Sequence, residues 1–61
     1  MNVKEVLGLT EVEAIAKIQA SGFAARVVEK NGEYYVGTSD YRTDRVNLSI
    51  TEGVVTRADI G

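Results

Sequence analysis

An α+β domain with a single helix is predicted by three features of the 61-residue sequence. Thr10 and Glu13 form a capping box ahead of an apolar stripe. Val46, Leu48 and Ile50 alternate with polar residues. From Gly22 onward the chain reads as short extended segments broken by Gly-containing turns. A chain this short makes one domain, 1–61, whose apolar burial barely offsets the entropy of ordering it.

The helix is expected over 11–20. In a capping box the Thr10 side chain accepts from the Glu13 amide, and Glu13 reaches back to the Thr10 amide. Leu9 and Ala14 suit a small hydrophobic staple across this start. Val12, Ala14, Ile15, Ala16 and Ile18 supply the core stripe, with Glu11, Lys17 and Gln19 facing water. Ser21-Gly22 ends the helix, with Gly22 left-handed and Phe23 placed to touch Ile18.

The rest divides at turn signals. A strand over 25–29 centres on Val27-Val28 and leads to the Asn31-Gly32 turn. Residues 33–37 are short and aromatic. Residues 38–44 carry almost no aliphatic side chain and read as a loop. Residues 45–50 are the cleanest half-buried strand, with Arg45, Asn47 and Ser49 on the polar face. Thr51-Glu52-Gly53 turns into a last strand over 54–58. The residues leave two arrangements open for the middle. Either 25–37 is a hairpin about Asn31-Gly32, or Val27-Val28 pairs in parallel with 46–50, leaving an exposed arch near 31–44. Arches of that length in small domains are usually functional.

Composition narrows the function. With no Cys and no His, the chain has no disulfide, no thiolate, no usual zinc ligand set and no Ser–His or Cys–His nucleophilic pair. This argues against an enzyme, and no cofactor is expected. Seven basic against nine acidic residues, net −2, disfavour a nucleic-acid partner. No apolar run is long enough to span a membrane. Residues 1–4 lack the apolar core of a secretory signal, which leaves a cytoplasmic protein or a mature secreted one. Asp40 and Asp44 read as turn formers rather than a cation site. Tyr34, Tyr35 and Tyr41 read as packing residues rather than a base-stacking platform.

The run Ser39-Asp40-Tyr41-Arg42-Thr43-Asp44-Arg45-Val46-Asn47-Leu48, together with Gly53-Val54-Val55-Thr56-Arg57 and Gly61, resembles the potato inhibitor I family of chymotrypsin inhibitors and eglins, most of all its bacterial branch of small peptidase inhibitors. Gly8-Leu9-Thr10-Glu11-Val12-Glu13-Ala14 is similar to the family's helix start. The resemblance implies one helix on a small mixed sheet, with a parallel strand pair flanking an exposed protease-binding loop. It implies a serine protease inhibitor, expected to be a monomer, acting on a subtilisin-like or an elastase- or chymotrypsin-like enzyme. The reactive loop would be Val36, Gly37, Thr38, Ser39, Asp40 and Tyr41, with the presented bond at Ser39-Asp40. Arg45 would brace Thr38 and Asp40, and Asn47 would stand in the place of a second bracing arginine. On the polar face of its strand, Arg45 is expected to contribute only on the order of 1 kcal/mol to stability.

The sequence departs from the family in several places. Ser39 is small where many inhibitors carry a large apolar residue, and 32–40 is about two residues longer than the family spacing. Asp59 replaces a common arginine, and the bacterial branch's cysteines are missing. A second reading comes from the first half. Val6-Leu7-Gly8-Leu9-Thr10-Glu11 is similar to the start of a peptidoglycan-associated PASTA repeat, which implies a non-inhibitory protein- or peptidoglycan-binding module.

Overall fold

The computed structural model describes residues 1–35 and 40–61. A 3-10 turn at Val3–Val6 leads into helix α1, Glu11–Ala20. Four strands complete the chain: β1, Ala24–Lys30; β2, Glu33–Tyr34; β3, Arg45–Thr51; and β4, Val54–Ile60. The helix packs on one mixed sheet of order β2-β1-β3-β4. β1 runs parallel to β3, from Ala24 opposite Arg45 to Lys30 opposite Ile50. β4 returns antiparallel on the other side of β3. The parallel pair and the hairpin coexist. Asn31-Gly32 closes a two-residue turn in which Glu29 faces Tyr34 and Lys30 faces Glu33. The pairing runs on to the Tyr35 amide, which donates to the Val28 carbonyl at 3.0 Å, and residues 36 and 37 of the expected 25–37 hairpin lie outside the described residues.

Helix α1 begins and ends where local chemistry places it. Thr10 Oγ1 accepts from the Glu13 amide at 3.2 Å, and Glu13 Oε1 accepts from the Thr10 amide at 3.0 Å. Those bonds, the backbone one foremost, hold the Glu13 carboxyl below its ordinary range. At the other end Gly22 has φ +84°. The Gly22 and Phe23 amides donate to the carbonyls of Gln19 and Ile18, which makes a complete Schellman motif. The stripe is narrower than expected. Ala14 and Ile18 are fully buried and Ile15 is half-buried, but Val12 is 78% exposed and Ala16 faces water. At 3.6 residues per turn Ala14 and Ile18 lie about 40° apart, and Val12 lies about 120° from Ile18. A ten-residue helix on a small sheet buries one line of side chains, not a broad face.

The core is Val6, Ala14, Ile18, Val46, Leu48, Ile50 and Val55. Val6 comes from the 3-10 turn, which carries no clear sequence signal beyond Asn2 capping the Lys4 amide at 3.0 Å. β3 is the inner strand, so its polar side is not simply open to solvent. Arg45 is 8% exposed and Ser49 7%. β4 runs two residues beyond the expected 58, because its ladder continues until the Gly61 amide donates to the Arg45 carbonyl at 3.0 Å.

Candidate functional site

The parallel β1–β3 pair leaves the chain between 31 and 44 to cross from one edge of the sheet to its centre. All described residues of that crossing, 31–35 and 40–44, are exposed. Val36, Gly37, Thr38 and Ser39 lie outside the described residues. The expected contact of Arg45 with Thr38 and the Ser39 half of the expected presented bond fall there too.

The chain on the C-terminal side of the loop is held by a set of converging hydrogen bonds. Arg45 opens β3, and its guanidinium reaches back over the strand end. Nη2 donates to the Asp40 carbonyl oxygen at 2.9 Å. Nε and Nη2 both donate to the main-chain oxygen of Gly61, at 3.0 and 2.8 Å. A planar fork of five donors suits a group that must hold two separate main-chain oxygens at once. Arg45 braces Asp40 as expected, and it meets the carboxylate less closely than the carbonyl. The carboxylate contact is a long ion pair of 3.9 Å, and the Asp40 side chain is 57% exposed. The grip is on backbone, which would survive substitution of the Asp40 side chain.

Arg45 lies on the polar face of its strand, yet that face does not leave it open to solvent. Its side chain is buried because β1 and β4 flank it and Asp40 and Gly61 lie against its head group. Asn47 makes no hydrogen bond to the described part of the loop. Its Nδ2 donates to the Gly61 oxygen at 3.2 Å, and its Oδ1 accepts from Arg26 Nε at 3.0 Å. One chain of hydrogen bonds therefore runs from Arg26 on β1 through Asn47 to Gly61, and from Gly61 through Arg45 to Asp40.

Two further ties secure the segment. Arg42 makes a bidentate pair with Asp44, at 2.9 and 2.8 Å. The Arg42 hydrogen bond holds the Asp44 carboxyl below its ordinary range and raises Arg42 in turn. The Asp44 carbonyl accepts from the Ala24 amide at 2.8 Å, which anchors the end of the crossing to the start of β1. Tyr41, 72% exposed, lies beside Gly61: a Cβ added there would stand 3.7 Å from its ring and 3.0 Å from Asn47 Nδ2.

Sequence reasoning named Arg45 and Asn47 but not Arg26 or the Gly61 oxygen as their partners. Arg26 had no local signal, since its link to Asn47 depends on strand register. Gly61 was visible only as a final glycine in the run after β4. Among the described residues no pocket opens in the surface, and no three acidic side chains gather as a metal site. No protein-family model matches the chain, and neither a curated protein nor a solved structure matches it.

Proposed function

We propose that this chain is a serine protease inhibitor of the potato inhibitor I type, presenting residues 36–41 as a substrate-like loop with the target bond at Ser39-Asp40. The observation that carries the reading is the buried Arg45, which donates to the Asp40 carbonyl on the leaving-group side of that bond. In a protease cleft, attack on the Ser39 carbonyl would release the Asp40 amine. A leaving group tied at Asp40 to Arg45, and at Asp44 to Ala24, does not diffuse away. It stays positioned to attack the acyl-enzyme, so re-ligation competes with hydrolysis. Ordering the segment before binding also removes part of the entropy cost of association.

Ser39 sets the expected target. A serine buries almost no apolar area in a primary specificity pocket. Against a Leu or Met it forgoes roughly 2 to 3 kcal/mol in a deep hydrophobic one. Enzymes with small pockets are therefore the preferred partners.

The test is a panel of subtilisin-, elastase- and chymotrypsin-like enzymes, read as residual activity and as the first peptide bond cut. Inhibition with slow cleavage at Ser39-Asp40 supports the reading. Ser39→Leu should then strengthen inhibition of the large-pocket enzymes by about tenfold or more. If no protease is inhibited and the segment is cut as an ordinary substrate, the inhibitor reading falls and the binding-module reading replaces it.

A further inference from the structure

The outer edge of β4 carries a feature that the loop does not use. The Gly61 amide points inward to the Arg45 carbonyl. In an antiparallel ladder the backbone groups alternate in direction. Asp59, opposite Asn47, and Arg57, opposite Ser49, therefore also turn theirs toward β3. The N–H and C=O of Ala58 and Ile60 consequently face outward. The N-terminal segment occupies the start of this edge, through the Thr10–Val54 bridge and at Val55, whose carbonyl accepts from Gly8 and whose amide donates to Leu9. Beyond it, Ala58 and Ile60 have no backbone partner on that side among the described residues. Arg57 and Asp59 are exposed, both on the polar face. Neither side chain has an ion-pair or hydrogen-bond partner among the described residues.

We infer that β4 pairs with β4 of a second copy of this chain, antiparallel and centred on Ala58. In that register Ala58 and the partner's Ala58 exchange two backbone hydrogen bonds. Arg57 lies directly opposite the partner's Asp59, and Asp59 opposite the partner's Arg57. These are the closely spaced, non-hydrogen-bonded positions, where cross-strand side chains interact most. The charge pattern selects this register. Moving the centre one residue either way sets Arg57 against the partner's Arg57, or Asp59 against the partner's Asp59, and like charges directly opposite are destabilising. On the core side the half-buried Ala58 meets its own copy, and the half-buried Ile60 lies opposite the partner's Thr56. The product is a continuous eight-stranded sheet. An interface of one strand pair falls short of the roughly 1,200 Å² of a stable complex. The pairing is therefore a weak one, with a monomer as the dilute state. Because the two β4 strands run in opposite directions, the Arg45-held Asp40 segments of the two copies lie at opposite ends of the joined sheet. The pairing itself does not depend on what the 36–41 loops bind.

The experiment is sedimentation equilibrium from micromolar to millimolar concentration, with amide exchange read at Ala58 and Ile60, on the wild type and two charge reversals. Wild type should dimerise at the upper end, and protection of both amides should rise with concentration. Arg57→Asp and Asp59→Arg should each keep the fold, because both positions are exposed, and each should self-associate about tenfold more weakly or worse. An equimolar mixture of the two variants should recover the dimer, since each negative pair then faces a positive pair. A wild type that stays monomeric at millimolar concentration overturns the proposal. So does a dimer that survives both reversals, or a mixture that fails to recover it.

Discussion

The two ends of the sheet are built by opposite means. At one end, two tight turns sit side by side. Asn31-Gly32 has φ values of +52° and +82°, and Glu52-Gly53 has +50° and +83°. Both central residues of each turn are left-handed, as a two-residue hairpin of the primed kind requires. The turns are also tied together, because Asn31 Oδ1 accepts from the Glu52 amide at 2.8 Å and the Asn31 amide donates to the Ile50 carbonyl at 2.8 Å. At the other end the only turn between 40 and 45 among the described residues is Thr43-Asp44, and neither of its residues is left-handed. Asp40, Arg45, Asn47 and Gly61 are held by side-chain donors gathered on main-chain oxygens. One end is made by backbone conformation and the other by converging hydrogen bonds. The two should fail under different substitutions.

The largest expected effect is at the converging end. Arg45→Ala removes a buried guanidinium and strips three bonds from two main-chain oxygens, in exchange for nothing. Charge-assisted bonds contribute more than neutral ones, so the loss should be about 2 to 3 kcal/mol rather than the modest value a solvated arginine would give. Thermal unfolding should fall by roughly 10 °C or more in a domain this size. Cleavage within 36–41 by a serine protease should also accelerate. A small shift in melting together with an unchanged cleavage rate would mean that the bonds are incidental.

Next comes a glycine pair that separates the two modes of construction. A Cβ at Gly53 meets nothing within 4 Å, yet its φ of +83° penalises any L side chain, so Gly53→Ala should cost about 1 kcal/mol. Gly61 has no such φ, but a Cβ there stands 3.0 Å from Asn47 Nδ2. Gly61→Ala should displace Asn47 with a smaller stability loss, of a few tenths of a kcal/mol, while altering the loop end. Denaturant midpoints rank the first effect. Chemical shifts of the Asn47 side-chain amide and the Arg45 Nε–H report the second, and unmoved shifts would break the comparison.

A stabilising change is expected at the turn end. Glu52 is a non-glycine residue at φ +50°, a conformation that Asn tolerates better. Glu52→Asn should raise stability by about 0.5 kcal/mol, because the backbone bond to Asn31 stays in place. A lower melting temperature would show that the glutamate side chain contributes something the geometry does not reveal.

The smallest effect is acid sensitivity of the loop end. Arg42 holds Asp44 below its ordinary pKa, so the folded value lies under the unfolded one. That contribution is present above the unfolded pKa and fades as pH falls from there through the folded value. Both partners are exposed, so the loss should be slight, and salt should reduce it. Arg42→Ala should flatten the acid limb of the stability curve. An identical limb in the variant would remove the pair from the account.

The limits of the helix, the two turns and the inner strand were legible because each is set within four residues. Thr10 and Glu13 cap each other, Gly22 accepts a left-handed conformation, and Asn-Gly prefers the primed turn. Arg45 was legible as a residue but not in its burial. Alternation assigned it to the polar face, and nothing local says that strands would flank that face on both sides. The same limit hid Val6, whose burial comes from a turn with no periodicity to read, and misplaced Val12, which a helical stripe admits but a narrow contact does not.

By itself the sequence determined where the chain turns, which segment is helical and which strand is the most regular, because those choices depend on dihedral preference and on apolar spacing along a few residues. Only the tertiary structure decided that β1 and β3 run parallel, that Arg45 grips the Asp40 backbone rather than its carboxylate, and that Arg26 reaches Asn47 across 21 positions of sequence. The reason is physical. Strand order and register are chosen by the burial of Val46, Leu48 and Ile50 against Ala14 and Ile18 as one body, and the polar partners on the opposite face are fixed as a consequence of that choice.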